Sequence, residues 1–180
     1  MIRTACALAG IIALVAPAQT TIDAVTFAQA FRAGAADQYK NREIKGTGVN
    51  FHGAITERIA DGTTRTSLVI TLGSLREGSA TLALIRTWDE FVAAERARTT
   101  LVVALSGSGL PAPPSGSGPQ TYEFSGVFDG QVRTIMRVPQ AADVATPESE
   151  PCKGEQPQGS AAGSFYCAPL LVNATATIKP

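Results

Sequence analysis

Short segments in which apolar and polar residues alternate recur along this 180-residue chain, separated by turn signals rich in Gly, Pro and Asp. Alternate side chains of a β-strand point to opposite faces, so this period gathers apolar residues on one side. In residues 65–73, for example, Leu68, Ile70 and Leu72 share one face. The pattern predicts a mainly β fold, with further strands in residues 79–88, 99–105, 121–128, 131–138 and 164–178.

The stretch 43–58 changes its alternating phase partway along. Ile44 occupies an even position, whereas Val49 occupies an odd one, and Gly46 and Gly48 lie between them. A β-bulge or sharp bend at the glycines would return both apolar sets to one face. We therefore expect a long first strand that bends there, as a small and highly curved barrel requires.

Two capping boxes predict two short helices, because a Thr cap and a Gln or Glu three residues later satisfy each other's backbone N–H groups. The first box is Thr26–Gln29, with a helix to about Asp37, and the second is Thr87–Glu90, with a helix to about Arg98. The second helix is expected to pack inward through Trp88, Phe91 and Val92.

Two glycine-containing connections have different predicted roles. Asp129 and Gly130, between the segments 121–128 and 131–138, are typical of a β-hairpin turn. Residues 106–120 are low in complexity and rich in Gly, Ser and Pro. This composition predicts a flexible loop that buries no apolar surface.

The N-terminus has the features of a cleaved secretory signal peptide. An apolar run too short to span a bilayer follows Arg3, and small residues up to Ala18 provide a signal peptidase site. We predict a signal in residues 1–18, cleavage after Ala18, and one β-rich domain in 19–180 without a membrane span. A retained N-terminal anchor is the alternative. The Ala- and Gly-rich composition looks bacterial, so the predicted location is periplasmic or extracellular.

Signal removal leaves two cysteines, Cys152 and Cys167, because Cys6 lies within the signal. In an oxidising compartment two cysteines allow one intramolecular disulfide. It would close a loop of about fifteen residues and stabilise the chain by roughly 3 kcal/mol. We therefore predict a disulfide-tied C-terminal segment in residues 150–180.

The most specific motif is "FRAGAADQYKNREIKGTGV", in which a helix end is followed by Tyr-Lys, a basic residue and a strand. Over about residues 27–55 the chain resembles the tRNA anticodon-like OB-fold family of secreted and envelope proteins. The resemblance implies an OB-like small β-barrel with an N-terminal helix and a helix between strands 3 and 4. A β-sandwich is the alternative fold. Despite its name, the family has no generally established tRNA-binding function. The matching positions are Phe31, Ala36, Asp37, Tyr39, Lys40, Ile44, Gly48 and Val49.

Motifs of known catalytic or metal chemistry are missing from the sequence. We find no zinc-protease, phosphate-loop, nucleophile-elbow or EF-hand motif. The one histidine, His52, alternates with Phe51 and is expected on the exposed face as an ordinary surface residue. No group of His, Cys and carboxylate residues has metal-ligand spacing. We predict no enzyme activity, no catalytic residue, no cofactor and no metal.

Charge argues against a nucleic-acid partner, since 15 basic and 15 acidic residues balance whereas nucleic-acid binders are markedly basic. The positive side chains around the first strands still form a candidate ligand surface, because OB folds bind through strands two and three and nearby loops. A solvated basic edge is the alternative interpretation. The candidate residues are Lys40, Arg42, Lys45, His52, Arg58 and Arg65.

Together these features predict a secreted, periplasmic, non-enzymatic binding or scaffold module. Its partner would be an envelope protein, peptide or polymer. The alternative is an enzyme inhibitor or immunity-like protein that presents the disulfide-braced loop between Cys152 and Cys167.

Overall fold

The structure, a computed structural model, describes residues 21–58, 62, 64–75, 79, 81–114, 116–136 and 165–180. The predicted signal peptide and Cys152 lie outside these residues. Within them, no helix has both the length and the apolar character needed to cross a membrane.

The described part of the chain contains two α-helices and seven strands. The helices are α1 (Ala24–Arg32) and α2 (Trp88–Arg96), and a short 3-10 helix spans Ala36–Tyr39. The strands are β1 (Ile22–Asp23), β2 (Arg42–Asn50), β3 (Ala54–Arg58), β4 (Thr64–Ser74), β5 (Thr100–Gly107), β6 (Gln120–Met136) and β7 (Phe165–Ile178).

All seven described strands belong to one mixed sheet, so the prediction of a mainly β fold is confirmed. The sheet order is β1-β2-β6-β7-β5-β4-β3. Val49 of β2 also pairs with Thr71 of β4, so the second strand from one end of this order contacts the second strand from the other end. Strands β2, β6, β7, β5 and β4 therefore follow one another around a partial ring.

The main core fills the inner face of this ring. It is built from large residues with no more than 2% exposure, among them Leu68 of β4, Leu105 of β5 and Phe128 of β6. Helix α1 covers the core with Phe27, whose ring lies 4.8 Å from that of Phe128. Burial of each such side chain stabilises the fold by roughly 1.5–3 kcal/mol.

Strand β2 carries no bulge at its glycines, so the bulge predicted there as one of two possibilities is wrong. Its register with β6 runs without a shift from Arg42 to Asn50. Gly46 and Gly48 instead lie on the inner face with Ile44, where other groups approach closely. A Cβ at Gly48 would stand 2.6 Å from both Ile70 Cγ2 and the Thr71 carbonyl oxygen. The glycines therefore allow close packing, and the phase changes after Asn50 instead.

Replacing Gly48 by alanine is expected to lower the unfolding free energy by about 1–3 kcal/mol, because the neighbouring backbone cannot give way as a flexible side chain would. Gly118→Ala is the matched control, since a Cβ there meets nothing within 4 Å. It should change stability by less than about 0.5 kcal/mol. Urea unfolding followed by circular dichroism measures both, and equal stability of the two variants would contradict the close packing at Gly48.

Two further strand predictions are wrong. The predicted hairpin at Gly130 is one continuous strand, β6, because β7 provides a single long partner along both of its halves. Asp129–Gln131 forms a bulge in it, where the Asp129 carboxylate accepts a hydrogen bond of 3.0 Å from the Gln131 N–H. In the predicted strand 79–88, the described residues form only an isolated bridge between Ala83 and Ser74.

The second capping box is confirmed and the first is wrong. Thr87 and Glu90 satisfy each other's backbone groups at the start of α2. Helix α1 begins earlier than predicted, because the Asp23 carboxylate caps it by accepting the Thr26 N–H at 3.0 Å. Helix α2 lies between β4 and β5, which are the second and third strands of the partial ring in chain order, rather than between its third and fourth strands.

Candidate functional site

Four aromatic side chains from two separate segments form a cluster at one end of the ring. Phe51 and His52 follow the last residue of β2, and Trp88 and Phe91 lie on the first turn of α2. Phe51 and Phe91 stack in parallel with ring centroids 4.5 Å apart. Trp88 lies 6.1 Å from Phe51 and 5.5 Å from Phe91, and the His52 ring meets Phe91 edge-on at 5.3 Å.

A buried asparagine shapes the corner that carries Phe51 and His52. The Asn50 amide donates hydrogen bonds to the carbonyl oxygens of Gly53 and Val69, and its oxygen accepts the Gly53 N–H. The bonds to Gly53 satisfy backbone groups of the turn between β2 and β3, and the bond to Val69 ties this turn to β4. They fix a turn in which Gly53 has a positive φ of 75°, a conformation that glycine adopts at little cost.

Trp88 is half exposed, with 49% of its surface open to solvent. The prediction that it packs inward is therefore wrong, whereas Phe91, at 0%, does pack inward. Trp88 is the first residue of α2, so the capping box of Thr87 and Glu90 fixes the backbone beneath it. Its indole is held on one side by the two phenylalanines and is open on the other.

The Gly/Ser/Pro segment between β5 and β6 faces this cluster. Leu110 of this segment is buried in the main core, which corrects the expectation that the loop buries no apolar surface. The Tyr122 hydroxyl donates to the Pro111 carbonyl at 3.1 Å, and Ser117 donates to the Pro114 carbonyl from both its N–H and its hydroxyl. The first bond ties the start of the loop to β6, and the other two close a turn within the part of the loop that faces the aromatic rings.

The loop and the aromatic cluster enclose an open cleft of about 380 Å³, which we call the Trp88 cleft. None of its described lining residues has a titratable side chain. The lining residues are Asn50, Phe51, Gly53, Trp88, Pro113, Pro114, Gly116, Ser117, Gly118 and Pro119.

His52 is not the exposed surface residue that the sequence predicts. Its ring is half-buried beside Phe91, and its Nε2 atom is buried without a hydrogen-bond partner. Burial lowers the pKa of His52 from 6.5 to about 4, because the charged imidazolium loses hydration that nothing replaces. The imidazole is therefore neutral at neutral pH and supports the floor of the aromatic cluster.

The predicted basic ligand surface does not form one patch. Lys45 is exposed on β2, where its ammonium lies 3.3 Å from the Glu43 carboxylate. Arg65 lies on β4, where the strand register places it opposite Glu57 of β3. Along the sheet, this position is on the far side of the Val49–Thr71 pair from Lys45. The two cations thus lie toward opposite ends of the sheet.

The other cations of that predicted surface divide between the same two ends. Lys40 is exposed and its side chain lies beside Gly130. Arg42 is half-buried at the start of β2, and Arg58 is the last residue of β3. His52 belongs to the aromatic cluster instead. The cations near the start of β2 and those of β3 and β4 therefore lie in two separate groups and do not line one surface.

The predicted disulfide stays a prediction, because Cys152 lies outside the described residues. Cys167 is exposed near the start of β7, opposite Thr134 of β6. Among the residues that the structure describes, no group of three or more His, Cys, Asp or Glu side chains is placed to hold a metal ion.

Sequence reasoning missed the Trp88 cleft because its walls come from three segments far apart in the chain. Alternation and capping signals describe contacts within a segment and carry no information on which segments meet. The one signal was Trp88 itself, the only tryptophan, placed directly after a helix cap. The first residue of a helix often faces solvent, which would have predicted an exposed indole.

Comparison with protein-family models, with curated proteins and with solved structures found no match for this chain. The resemblance to the tRNA anticodon-like OB-fold family therefore stays a prediction.

Proposed function

We propose that this chain is a secreted, non-enzymatic binding module with an OB-like barrel, and that the Trp88 cleft is its contact surface. The observation that carries the proposal is the half-exposed indole of Trp88 inside a concave, pre-formed cleft. Binding sites are typically clefts of roughly 300–1,000 Å³ lined by aromatic side chains and a few polar groups.

The partial ring supports the OB-like part of the proposal. An OB fold is a five-stranded, partly open Greek-key barrel, and five strands follow one another here with the β2–β4 contact closing the circuit. Strands β5 and β7 are not consecutive in the chain, and they pair in parallel to continue the ring. The Gly/Ser/Pro segment, rather than a helix, links the third and fourth strands of this ring, a departure from the expected pattern.

Burial of the sheet's other face favours the cleft over the usual OB ligand surface. That surface lies on the second and third strands of the barrel, which correspond to β4 and β5 in the proposed ring. On the side of these strands away from the main core, Val69, Val102 and Ala104 are each at most 6% exposed. A ligand therefore has no access to these side chains, whereas the Trp88 cleft is open.

The lining of the cleft is better suited to holding a ligand than to transforming one. Its described residues supply no carboxylate, imidazole, thiol or amine that could act as a general acid or base. The one lining hydroxyl, that of Ser117, therefore has no base beside it to activate it as a nucleophile, and it donates to the Pro114 carbonyl. His52 lies behind the aromatic cluster with its Nε2 buried. A binding role with an envelope protein, peptide or polymer is consistent with this chemistry and with the predicted secretion.

Replacing Trp88 by alanine is expected to abolish capture of the partner, because the half-exposed indole is the largest side chain that lines the cleft. Mature, oxidised protein is immobilised and incubated with bacterial envelope extract, and the bound material is compared between variants. Leu84→Ala is the matched control, since Leu84 is 61% exposed and does not line the cleft. Capture that Trp88→Ala retains would contradict the proposal.

A further inference from the structure

The lining of the Trp88 cleft selects against charged ligands. Its described side chains are aromatic, proline, glycine, one serine and one asparagine, so an ionic ligand would lose hydration without meeting a counter-charge. Asn50 gives the ligand little, because its amide is already bonded to Gly53 and Val69. The matching ligand is uncharged.

The aromatic wall offers a flat surface in a fixed orientation. Trp88 is held at a capped helix start and packs against Phe51 and Phe91 at centroid distances of 6.1 and 5.5 Å. An aromatic face carries partial negative charge, so it attracts the weakly positive C–H groups of an apolar face laid over it. The ligand should therefore present a flat C–H face about the size of one ring.

The opposite wall offers hydrogen-bond acceptors in preference to donors. Three of its residues are prolines, which have a carbonyl oxygen but no N–H group. The Pro114 carbonyl already accepts two hydrogen bonds from Ser117, and the Gly118 carbonyl accepts one from the Gln120 amide. The acceptors left for a ligand are therefore the other loop carbonyls, among them those of Pro113 and Pro119. Gly116 and Gly118 are exposed, and a Cβ at either would meet nothing within 4 Å, so a ligand can approach the backbone there. A ligand that supplies donors is complementary to this wall.

This preference separates two uncharged ligand classes that stack on tryptophan. A proline-rich peptide offers carbonyl acceptors and few donors, so it would repeat the chemistry of the loop that already lines the cleft. A neutral saccharide offers hydroxyl donors around a ring whose face is lined by C–H groups. The volume of about 380 Å³ suits a short stretch of such a polymer.

We propose that the Trp88 cleft binds a neutral oligosaccharide, with one sugar ring stacked on Trp88 and its hydroxyl groups donating to the proline- and glycine-rich loop. This inference rests on the proposed function and names its ligand class. Because Trp88 is the only tryptophan in the chain, its fluorescence reports directly on occupancy of the cleft.

The test titrates the mature, oxidised protein with two neutral probes, a β-1,4-linked N-acetylglucosamine tetramer and a β-1,4-linked glucose tetramer, and separately with decaproline. We expect at least one sugar probe to shift Trp88 emission and to give saturable heat of binding. Affinity should fall about tenfold or more in Trp88→Ala and less in Trp88→Phe, which keeps an aromatic face. Leu84→Ala should bind like the unaltered protein, and circular dichroism verifies that each variant is folded.

Binding of neither sugar, sugar binding that Trp88→Ala and Trp88→Phe both retain in full, or binding of decaproline alone would overturn the inference. The proposed function is tested separately, by capture from envelope extract. If neither sugar binds but envelope capture still depends on Trp88, only the saccharide inference is overturned. If capture is also independent of Trp88, both are overturned.

Discussion

Replacing Phe91 by alanine is expected to lower the unfolding free energy by about 3–5 kcal/mol. Phe91 is 0% exposed and contacts Phe51, His52 and Trp88, so it is the centre of the aromatic cluster. Removal of its ring leaves a cavity beneath the cleft and also deprives the neighbouring rings of their shared contact. Urea unfolding followed by circular dichroism at neutral pH measures the loss.

Trp88→Ala is the matched control for this substitution. It removes a larger aromatic side chain from the same helix, but one that is half exposed, so its stability cost should be well below that of Phe91→Ala. A larger loss of unfolding free energy for Trp88→Ala than for Phe91→Ala would contradict the central burial of Phe91. So would a loss below about 1 kcal/mol for Phe91→Ala.

Stability should also fall as the pH is lowered from about 6.5 to 4, through the titration of His52. Its pKa is lowered by burial from 6.5 to about 4, so in this range the unfolded chain takes up a proton that the folded chain does not. The contribution of neutral His52 is complete above pH 6.5 and is lost progressively down to about pH 4. A shift of this size corresponds to roughly 2–3 kcal/mol across the range.

His52→Gln isolates this contribution from that of the carboxylates, because the chain has no other histidine. Unfolding free energies of both proteins are measured between pH 7 and pH 4, and the difference between them should narrow by roughly 2–3 kcal/mol as the pH falls. A difference that stays constant, or an NMR titration that gives His52 a pKa near 6.5, would show that the imidazole is solvated.

Local patterns in the sequence predicted local structure well. The alternation of Leu68, Ile70 and Leu72 predicted β4, and residues 99–105 and 164–178 predicted β5 and β7. The box of Thr87 and Glu90 predicted the start of α2 to the residue. Each of these signals depends on residues within a few positions of one another, so no knowledge of distant partners is needed.

The predictions that failed depend on contacts between distant segments. Asp129 and Gly130 have the composition of a hairpin turn, but pairing of both flanks with β7 makes them a bulge in one strand. Ile70 and Thr71 lie so close to Gly48 that they leave no room for a side chain there. The alternation of residues within β2 cannot reveal this contact. His52 is half-buried because α2 brings Phe91 over it.

Ligands of this chain are proposed to contact the Trp88 cleft. Site-specific photo-crosslinking tests this contact directly, with a benzophenone amino acid placed at Ser117 in the cleft loop or at Lys45 on the predicted basic surface. Both residues are exposed. Position 117 loses its hydroxyl hydrogen bond to Pro114 but keeps the one from its N–H, so the turn of the loop is retained. After irradiation in bacterial envelope extract, we predict an adduct from position 117 and none from position 45. An adduct from position 45 alone would contradict the account and return the binding surface to the basic residues of β2.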